Sequence, residues 1–170
     1  MNKNTLFNEI KKTALLKGHF VLRSGQSATE YFDKYLFESS PSLLKSLVPH
    51  LKTLIPSDTE ILAGLEMGGI PLAVALSLDS NIPCVFVRKK AKEYGTKKIT
   101  EGCSVQNKKV CVVEDVITTG GQVMASAQMM RKEGALIKNV ICVIYRGEQK
   151  PLEKLQEYGL KLHYLFKWTT

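Results

Sequence analysis

From residue 61 onward the chain repeats one unit: a short unbroken apolar run, a turn of small or charged residues, then a helical stretch. The runs are Ile61-Leu62-Ala63-Gly64, Cys84-Val85-Phe86-Val87, Val110-Cys111-Val112-Val113, residues 140–145 and residues 160–166. Runs this short and this continuously apolar suit strands buried on both faces; half-exposed strands would alternate. Helical stretches fall between them: residues 70–79 with Pro71 near the start, 122–133 stopped by Gly134, and 151–158 closed by Gly159. Strand and helix in alternation predict an α/β fold, a central mostly parallel sheet flanked by helices. Ligands in such folds bind beyond the carboxyl ends of the strands. Those ends are residues 65–69, 88–102 and 114–121 and Arg146, and each unusual cluster in the chain falls at one of them.

The first 60 residues follow another pattern. Residues 5–17 read as an amphipathic helix, with Leu6, Ile10 and Ala14 at helical spacing and Gly18 as a stop. Phe20-Val21-Leu22 and residues 31–37 read as short strands around a Ser24-Gly25 turn. Ser40-Pro41 starts a helix whose stripe is Leu44, Leu47, Val48 and Leu51, and Pro49 predicts a kink or break in it. With no repeat, low-complexity tract or linker, residues 1–170 are expected to form one domain.

Composition limits the classes. The chain has 170 residues, 44% of them hydrophobic, enough to bury a core. No stretch approaches the ~20 apolar residues of a membrane span, and the N-terminus lacks the apolar centre of a signal peptide. A cytoplasmic protein without a membrane partner is expected. Of four cysteines, Cys84, Cys111 and Cys142 fall in apolar runs, and none, Cys103 included, forms a C-x-x-C pair. Buried reduced thiols fit this pattern better than zinc or disulfides. His19, His50 and His163 have no serine or carboxylate partners in view and read as structural or surface residues. The net charge of +8 attracts anions, which admits nucleic acid, acidic lipid and phosphorylated metabolites alike. Six basic residues against the single acid Glu93 lie between Arg88 and Lys98.

The most specific pattern is the strand Val112-Val113 running into Glu114-Asp115-Val116-Ile117-Thr118-Thr119-Gly120-Gly121-Gln122. Glycines let a backbone approach a phosphate, Thr118 and Thr119 offer hydroxyls, and the helix start presents N–H groups. Carboxylates beside such a cradle would repel the phosphate itself. They suit hydroxyl groups, such as those of a ribose, or positive charge developing on that ribose. The stretch is neither a G-K-[ST] phosphate loop nor a G-x-G-x-x-G fingerprint. It resembles the ribose-phosphate signature of the type I phosphoribosyltransferases. That resemblance implies that Glu114 and Asp115 hold the ribose hydroxyls, and that residues 117–122 hold the 5-phosphate.

The second cluster is Arg88-Lys89-Lys90-Ala91-Lys92-Glu93-Tyr94-Gly95, ending at Glu101-Gly102. Lysines aimed at a departing pyrophosphate would lower its barrier, and Tyr94-Gly95-Thr96 suits a lid. On charge alone, a solvated loop or a nucleic-acid patch fits as well. The segment resembles the catalytic loop of the orotate phosphoribosyltransferases. By that resemblance Lys92 acts in its own subunit and Lys89 in its neighbour's, implying a homodimer, with Arg88 and Tyr94 among the substrate contacts. Gly64-Leu65-Glu66-Met67-Gly68-Gly69-Ile70-Pro71 reads equally as a tight turn or a pyrophosphate loop. It resembles the family's pyrophosphate loop, with Gly68 where many bacterial members carry lysine, so leaving-group stabilisation leans on Lys89 and Lys92.

The resemblance runs from Gly18 to about Glu148. It implies that Arg146 binds the orotate carboxylate and that Thr118 touches the base. Residues from Phe20 to Gly25 with Tyr31-Phe32 look like the hood over orotate, so about residues 1–40 are expected to contribute a small N-terminal hood. Arg23 and Tyr94 stand where family members usually have lysine and histidine, and the C-terminal tail is shorter. The implied reaction joins orotate to phosphoribosyl pyrophosphate, with catalytic roles for Lys89, Lys92 and Asp115 and with Mg²⁺ brought by substrate rather than by a carboxylate cage. A different nucleobase is one alternative. Another is a regulator of the same fold that binds nucleic acid, which the charge permits and the intact lysine loop argues against.

Overall fold

The computed structural model describes residues 1–21, 25–90 and 98–168. Arg23, Lys92 and Tyr94, together with the Ser24 end of the expected turn, lie outside the described residues. Two compact units are present, Met1–Leu47 and Val48–Thr170.

In the N-terminal unit, helix α1 (Lys3–Ala14) starts where the Asn2 side chain accepts the Thr5 N–H at 2.9 Å. It buries Leu6, Ile10 and Ala14, and Lys11 and Lys12 in its last turn favour the negative end of the helix. The helix was expected to reach residue 17. It stops at Ala14 because Leu15 turns extended and begins strand β1 (Leu15–Val21), pairing antiparallel with β2 (Ser27–Phe32). Gly18 therefore lies inside a strand, where the register shifts between Lys17 and Phe20. The second strand was expected to run through residue 37 but ends at Phe32. Asp33 Oδ1 accepts the Tyr35 N–H at 3.2 Å and opens the short helix α2 (Tyr35–Glu38). Helix α3 (Pro41–Lys52) starts at Pro41 as expected and continues through Pro49 without a break. Pro49 is exposed, where water can serve the carbonyl that its missing N–H leaves.

The C-terminal unit is built on strands β3 (Ile61–Leu65), β4 (Cys84–Val87), β5 (Thr100–Glu101), β6 (Lys109–Ile117), β7 (Leu136–Tyr145) and β8 (Lys161–Lys167). Among the described residues they form one sheet in the order β5-β4-β3-β6-β7-β8, parallel except where β5 runs against β4. Helices α4 (Gly69–Ser80), α5 (Gly121–Lys132) and α6 (Gln149–Glu157) connect the strands. All five residues of β3 are buried, as a central parallel strand covered on both faces requires. Cys111 and Cys142 are buried thiols, and burial pushes Cys111 up to about 12. Cys84, expected to be buried, is half-buried near the start of β4. No helix among the described residues is long and apolar enough to cross a membrane.

Candidate active site

The sheet order fixes where a ligand can bind. From β3 the chain moves outward to β4 and β5, then returns to place β6 on the other side of β3. The direction of winding reverses between β3 and β6, and the crevice beyond their carboxyl ends is the switch point at which α/β sheets take ligands. Two loops flank it: residues 66–68 after β3, and residues 118–120 after β6.

Close backbone packing sets the first loop. A Cβ on Gly69 would fall 2.2 Å from the Val113 carbonyl oxygen and 3.4 Å from Glu114 Cα. A Cβ on Gly64 would meet the Gly69 carbonyl at 2.7 Å and Ile70 Cα at 2.9 Å. The start of α4 is thus pressed against both β3 and the tip of β6. The stretch that the sequence leaves open as a tight turn or a pyrophosphate loop is thereby packed, at residues 66–69, against the acidic pair. Gly68 and Gly69 are buried, while Glu66 and Met67 are exposed and joined by a cis peptide bond.

The β3–β6 pairing runs to Gly64 opposite Val113, so Glu114 and Asp115 occupy the part of β6 that outreaches it. Glu114 is 8% exposed and Asp115 0%. Strand alternation sends neighbouring side chains to opposite faces. Each carboxylate then folds onto the next backbone donor: Glu114 Oε1 accepts the Asp115 N–H at 3.2 Å, and Asp115 Oδ1 accepts the Val116 N–H. Burial, then the charges of Glu114 and Asp115, push the Cys142 thiol well above its usual value.

The expected phosphate loop began at Ile117. Ile117 is instead the last residue of β6 and buried in the core, and Val116 is a half-buried strand residue, because pairing with β7 persists to Ile117 opposite Tyr145. The loop proper is Thr118-Thr119-Gly120, with both threonines exposed. Gly120 adopts φ +75°, the left-handed conformation that glycine takes freely, and caps α5. Thr119 Oγ1 lies 3.5 Å from the Gly121 N–H, and Gln122 in the first turn donates to Ser126 Oγ at 3.1 Å. The opening of α5 presents first-turn N–H groups that no helical carbonyl can serve, donors of the kind that suit an anion.

Arg146 is brought to this loop. Its backbone N–H donates to the Ile117 carbonyl at 2.8 Å, and a Cβ on the next residue, Gly147, would fall 2.3 Å from the Thr118 carbonyl. The loop after β7 therefore lies directly on the loop after β6.

The first part of the basic segment sits at the end of β4. The Arg88 N–H donates to the Ile99 carbonyl at 3.0 Å, and Arg88 Nη1 is 3.7 Å from Glu101 Oε1. Glu133 on the far side accepts the Ile99 N–H at 2.8 Å and the Thr100 hydroxyl. The Lys89 N–H donates to Glu66 Oε2 at 3.0 Å, tying the base of the basic segment to the loop after β3.

Residues 50–168 match the phosphoribosyl transferase domain family. The chain is 40% identical over 163 residues to the orotate phosphoribosyltransferase of Methanocella arvoryzae, covering 95% of this chain and 93% of that protein. It is 49% identical over 143 residues to the Nocardioides sp. protein of the same name, covering 84% of this chain and 80% of the relative. The chain belongs to the orotate phosphoribosyltransferase family. The fold agrees: the Mycobacterium tuberculosis orotate phosphoribosyltransferase superposes with a TM-score of 0.81 at 26% identity, covering 97% of this chain and 95% of that one.

Within the fold of this family, the structure gathers Glu114, Asp115, Thr118, Thr119, Gly120, Gly121, Gln122 and Arg146 at the carboxyl edge of β6 and β7, with Arg88 and Lys89 at the end of β4. Tyr31 and Phe32 belong to the N-terminal unit. There the Tyr31 ring is 5.5 Å from Phe20, and Phe32 is 6.2 Å from Phe37. Glu133, Gly147 and Trp168 had drawn no functional notice from the sequence, and Glu66 had drawn it only as part of the loop after β3. Only Trp168, the chain's single tryptophan, carried a signal that could have marked it.

Proposed function

We propose that the chain transfers the 5-phosphoribosyl group of phosphoribosyl pyrophosphate to orotate, giving orotidine 5-monophosphate and pyrophosphate in pyrimidine nucleotide synthesis. One observation carries the reading. A buried acidic strand tip, a threonine–glycine loop opening a helix, and an arginine bonded to the end of the same strand converge on the switch point of the sheet.

In the reaction a ring nitrogen of orotate bonds to the anomeric carbon, the bond from that carbon to pyrophosphate breaks, and the ring N–H proton is lost to solvent. Thr118-Thr119-Gly120-Gly121-Gln122 holds the 5-phosphate through backbone N–H groups and hydroxyls. Glu114 and Asp115 anchor the ribose and stabilise positive charge on it. The loop around Gly68 and Gly69 faces the pyrophosphate with backbone donors. Lys89 and Lys92 oppose the charge on the leaving oxygens, and Arg146 pairs with the orotate carboxylate, a planar match for guanidinium. Positioning and electrostatics supply the rate without a dedicated general base.

Among the described residues no group of three His, Cys, Asp or Glu side chains gathers to cage a metal. Oxygen ligands suit Mg²⁺, which keeps substrate and water oxygens readily, so Glu114 and Asp115 with the substrate's own oxygens would hold it. When bound, the ion neutralises pyrophosphate charge.

The active form is a homodimer in the cytoplasm, with Lys89 serving the neighbouring subunit's site. Apolar side chains left exposed on the C-terminal unit support a partner: Leu78 is 84% exposed, with Val74 on the same helix face and Phe86 on β4 also exposed. The test of the activity mixes protein, Mg²⁺, phosphoribosyl pyrophosphate and orotate and follows the loss of orotate absorbance. No loss with well-folded protein refutes the reading, and preference for another base in competition corrects the substrate.

A further inference from the structure

Arg146 does not stand alone at the edge of the sheet. Its guanidinium carbon lies 4.9 Å from the centre of the Trp168 ring. The sheet itself delivers the indole. Strand β8 pairs with β7 through Ile144 opposite Phe166 and Tyr145 opposite Lys167. The next residue's backbone N–H, that of Trp168, donates to the Tyr145 carbonyl at 2.9 Å. Arg146 is fixed in turn by its own N–H on the Ile117 carbonyl. Two backbone hydrogen bonds therefore bring guanidinium and indole together, and both side chains are half-buried. The neighbouring residue Tyr145, whose carbonyl receives the Trp168 N–H, stacks its own ring on Tyr164 at 5.4 Å.

We infer that Trp168 is a positioning residue for Arg146, holding its guanidinium against the indole face in the orientation that receives an anionic base. This rests on the reading of Arg146 as the group that binds the orotate carboxylate. Tryptophan is the best aromatic partner for a cation, and the contact strengthens where water is kept from one face. An arginine already held in one orientation loses little freedom when a planar carboxylate docks.

The experiment compares Trp168→Leu, Trp168→Phe, Arg146→Ala and the Trp168→Leu/Arg146→Ala double variant in the orotate reaction. Trp168→Leu is expected to raise the orotate KM by about three- to thirtyfold while the phosphoribosyl pyrophosphate KM and kcat stay within about twofold. Trp168→Phe, which keeps an aromatic face, recovers most of that loss. In the Arg146→Ala background, Trp168→Leu adds nothing further, since it acts through the arginine. An unchanged orotate KM in Trp168→Leu, an equal loss for both substrates, or an effect that adds fully to Arg146→Ala overturns the inference. If Arg146→Ala itself spares orotate, the base-binding role of Arg146 falls, and the inference with it. Because Trp168 is the chain's single tryptophan, its emission reports the contact without turnover. A difference in emission between the parent protein and Arg146→Ala supports the pair, and identical emission refutes it.

Discussion

Replacing Gly69 by alanine adds one methyl group at the joint between the scaffold and the site. The new Cβ would lie 2.2 Å from the Val113 carbonyl oxygen, where an ordinary contact needs roughly 1 Å more. The obstructing atom cannot give way easily. Val113 is in the middle of the sheet, opposite Gly64 on one side and Ile141 on the other. The start of α4 must move instead, yet Leu72, Ala73 and Leu76 of that helix are fully buried. Overpacking of this kind costs about 1–3 kcal/mol, a melting shift of roughly 2–12 °C for a chain of this size. The displacement falls on the 66–69 loop, and a misplacement of about 1 Å at a positioning loop can lower turnover by about 10²-fold. The assay pairs urea unfolding with turnover of orotate. The control is Gly121→Ala in the first turn of α5, where the nearest atom is Thr119 Oγ1 at 3.7 Å. Stability there should hold or rise by up to about 1 kcal/mol. A Gly69→Ala protein with parental midpoint and turnover would show that α4 slides freely on β6, and the close-packing account of the loop would be wrong.

Lys92→Ala should lower turnover by about 10²-fold or more with an unchanged melting temperature; near-normal turnover removes it from the mechanism. Arg146→Ala should weaken orotate binding, read by calorimetry, far more than binding of phosphoribosyl pyrophosphate, and equal weakening would mean the residue is misassigned. His163, whose Nε2 lies 3.1 Å from Asn139 Oδ1, is held below the usual histidine range by burial and then by Lys161. The neutral ring is thus favoured in the folded state: its contribution is full above the unfolded value near 6.5 and is lost as pH falls from there toward the depressed folded value. His163→Gln should flatten the stability profile across that acid window, and an unaltered slope in urea unfolding would contradict the assignment.

The sheet was legible because parallel strands buried on both faces carry continuous apolar runs, as residues 61–64, 84–87, 110–113 and 140–145 do within β3, β4, β6 and β7. Helix ends in the C-terminal unit were legible where glycine closes them, as at Gly134 and Gly159 with φ of +88° and +72°. The N-terminal unit was read less well because its strands are short and half-exposed, so pairing rather than pattern decides their ends. Leu15-Leu16 fits a helix stripe as readily as a strand until Tyr31 and Phe32 are found opposite. Asp33 is a turn signal that the aromatic run around it concealed. At the site, residue types marked the acidic strand tip and the threonine–glycine turn that opens α5, whereas Glu66, Gly147 and Trp168 act through contacts 23, 29 and 23 residues apart in the sequence with Lys89, Thr118 and Tyr145. No local pattern encodes such pairings.

Two acids beside a phosphate cradle look unfavourable in the ground state, and in the proposed reaction that is their value. Glu114 and Asp115 lie on a strand tip with 8% and 0% exposure, so solvent screens them poorly. Opposite charges 4 Å apart at a protein surface interact by about 4 kcal/mol. A neutral ribose gains from these carboxylates only through its hydroxyls, whereas a ribose acquiring positive charge as pyrophosphate departs gains the charge interaction as well. The acids therefore bind the transition state more tightly than the substrate, which is the condition for raising turnover rather than affinity alone. The opposing cost, repulsion of the anionic substrate, is offset by the net charge of +8 and its concentration near Arg88 and Lys89. With Gly68 supplying no charge in the pyrophosphate loop, the lysines of the basic segment carry that offset, so their removal should slow turnover more than it weakens orotate.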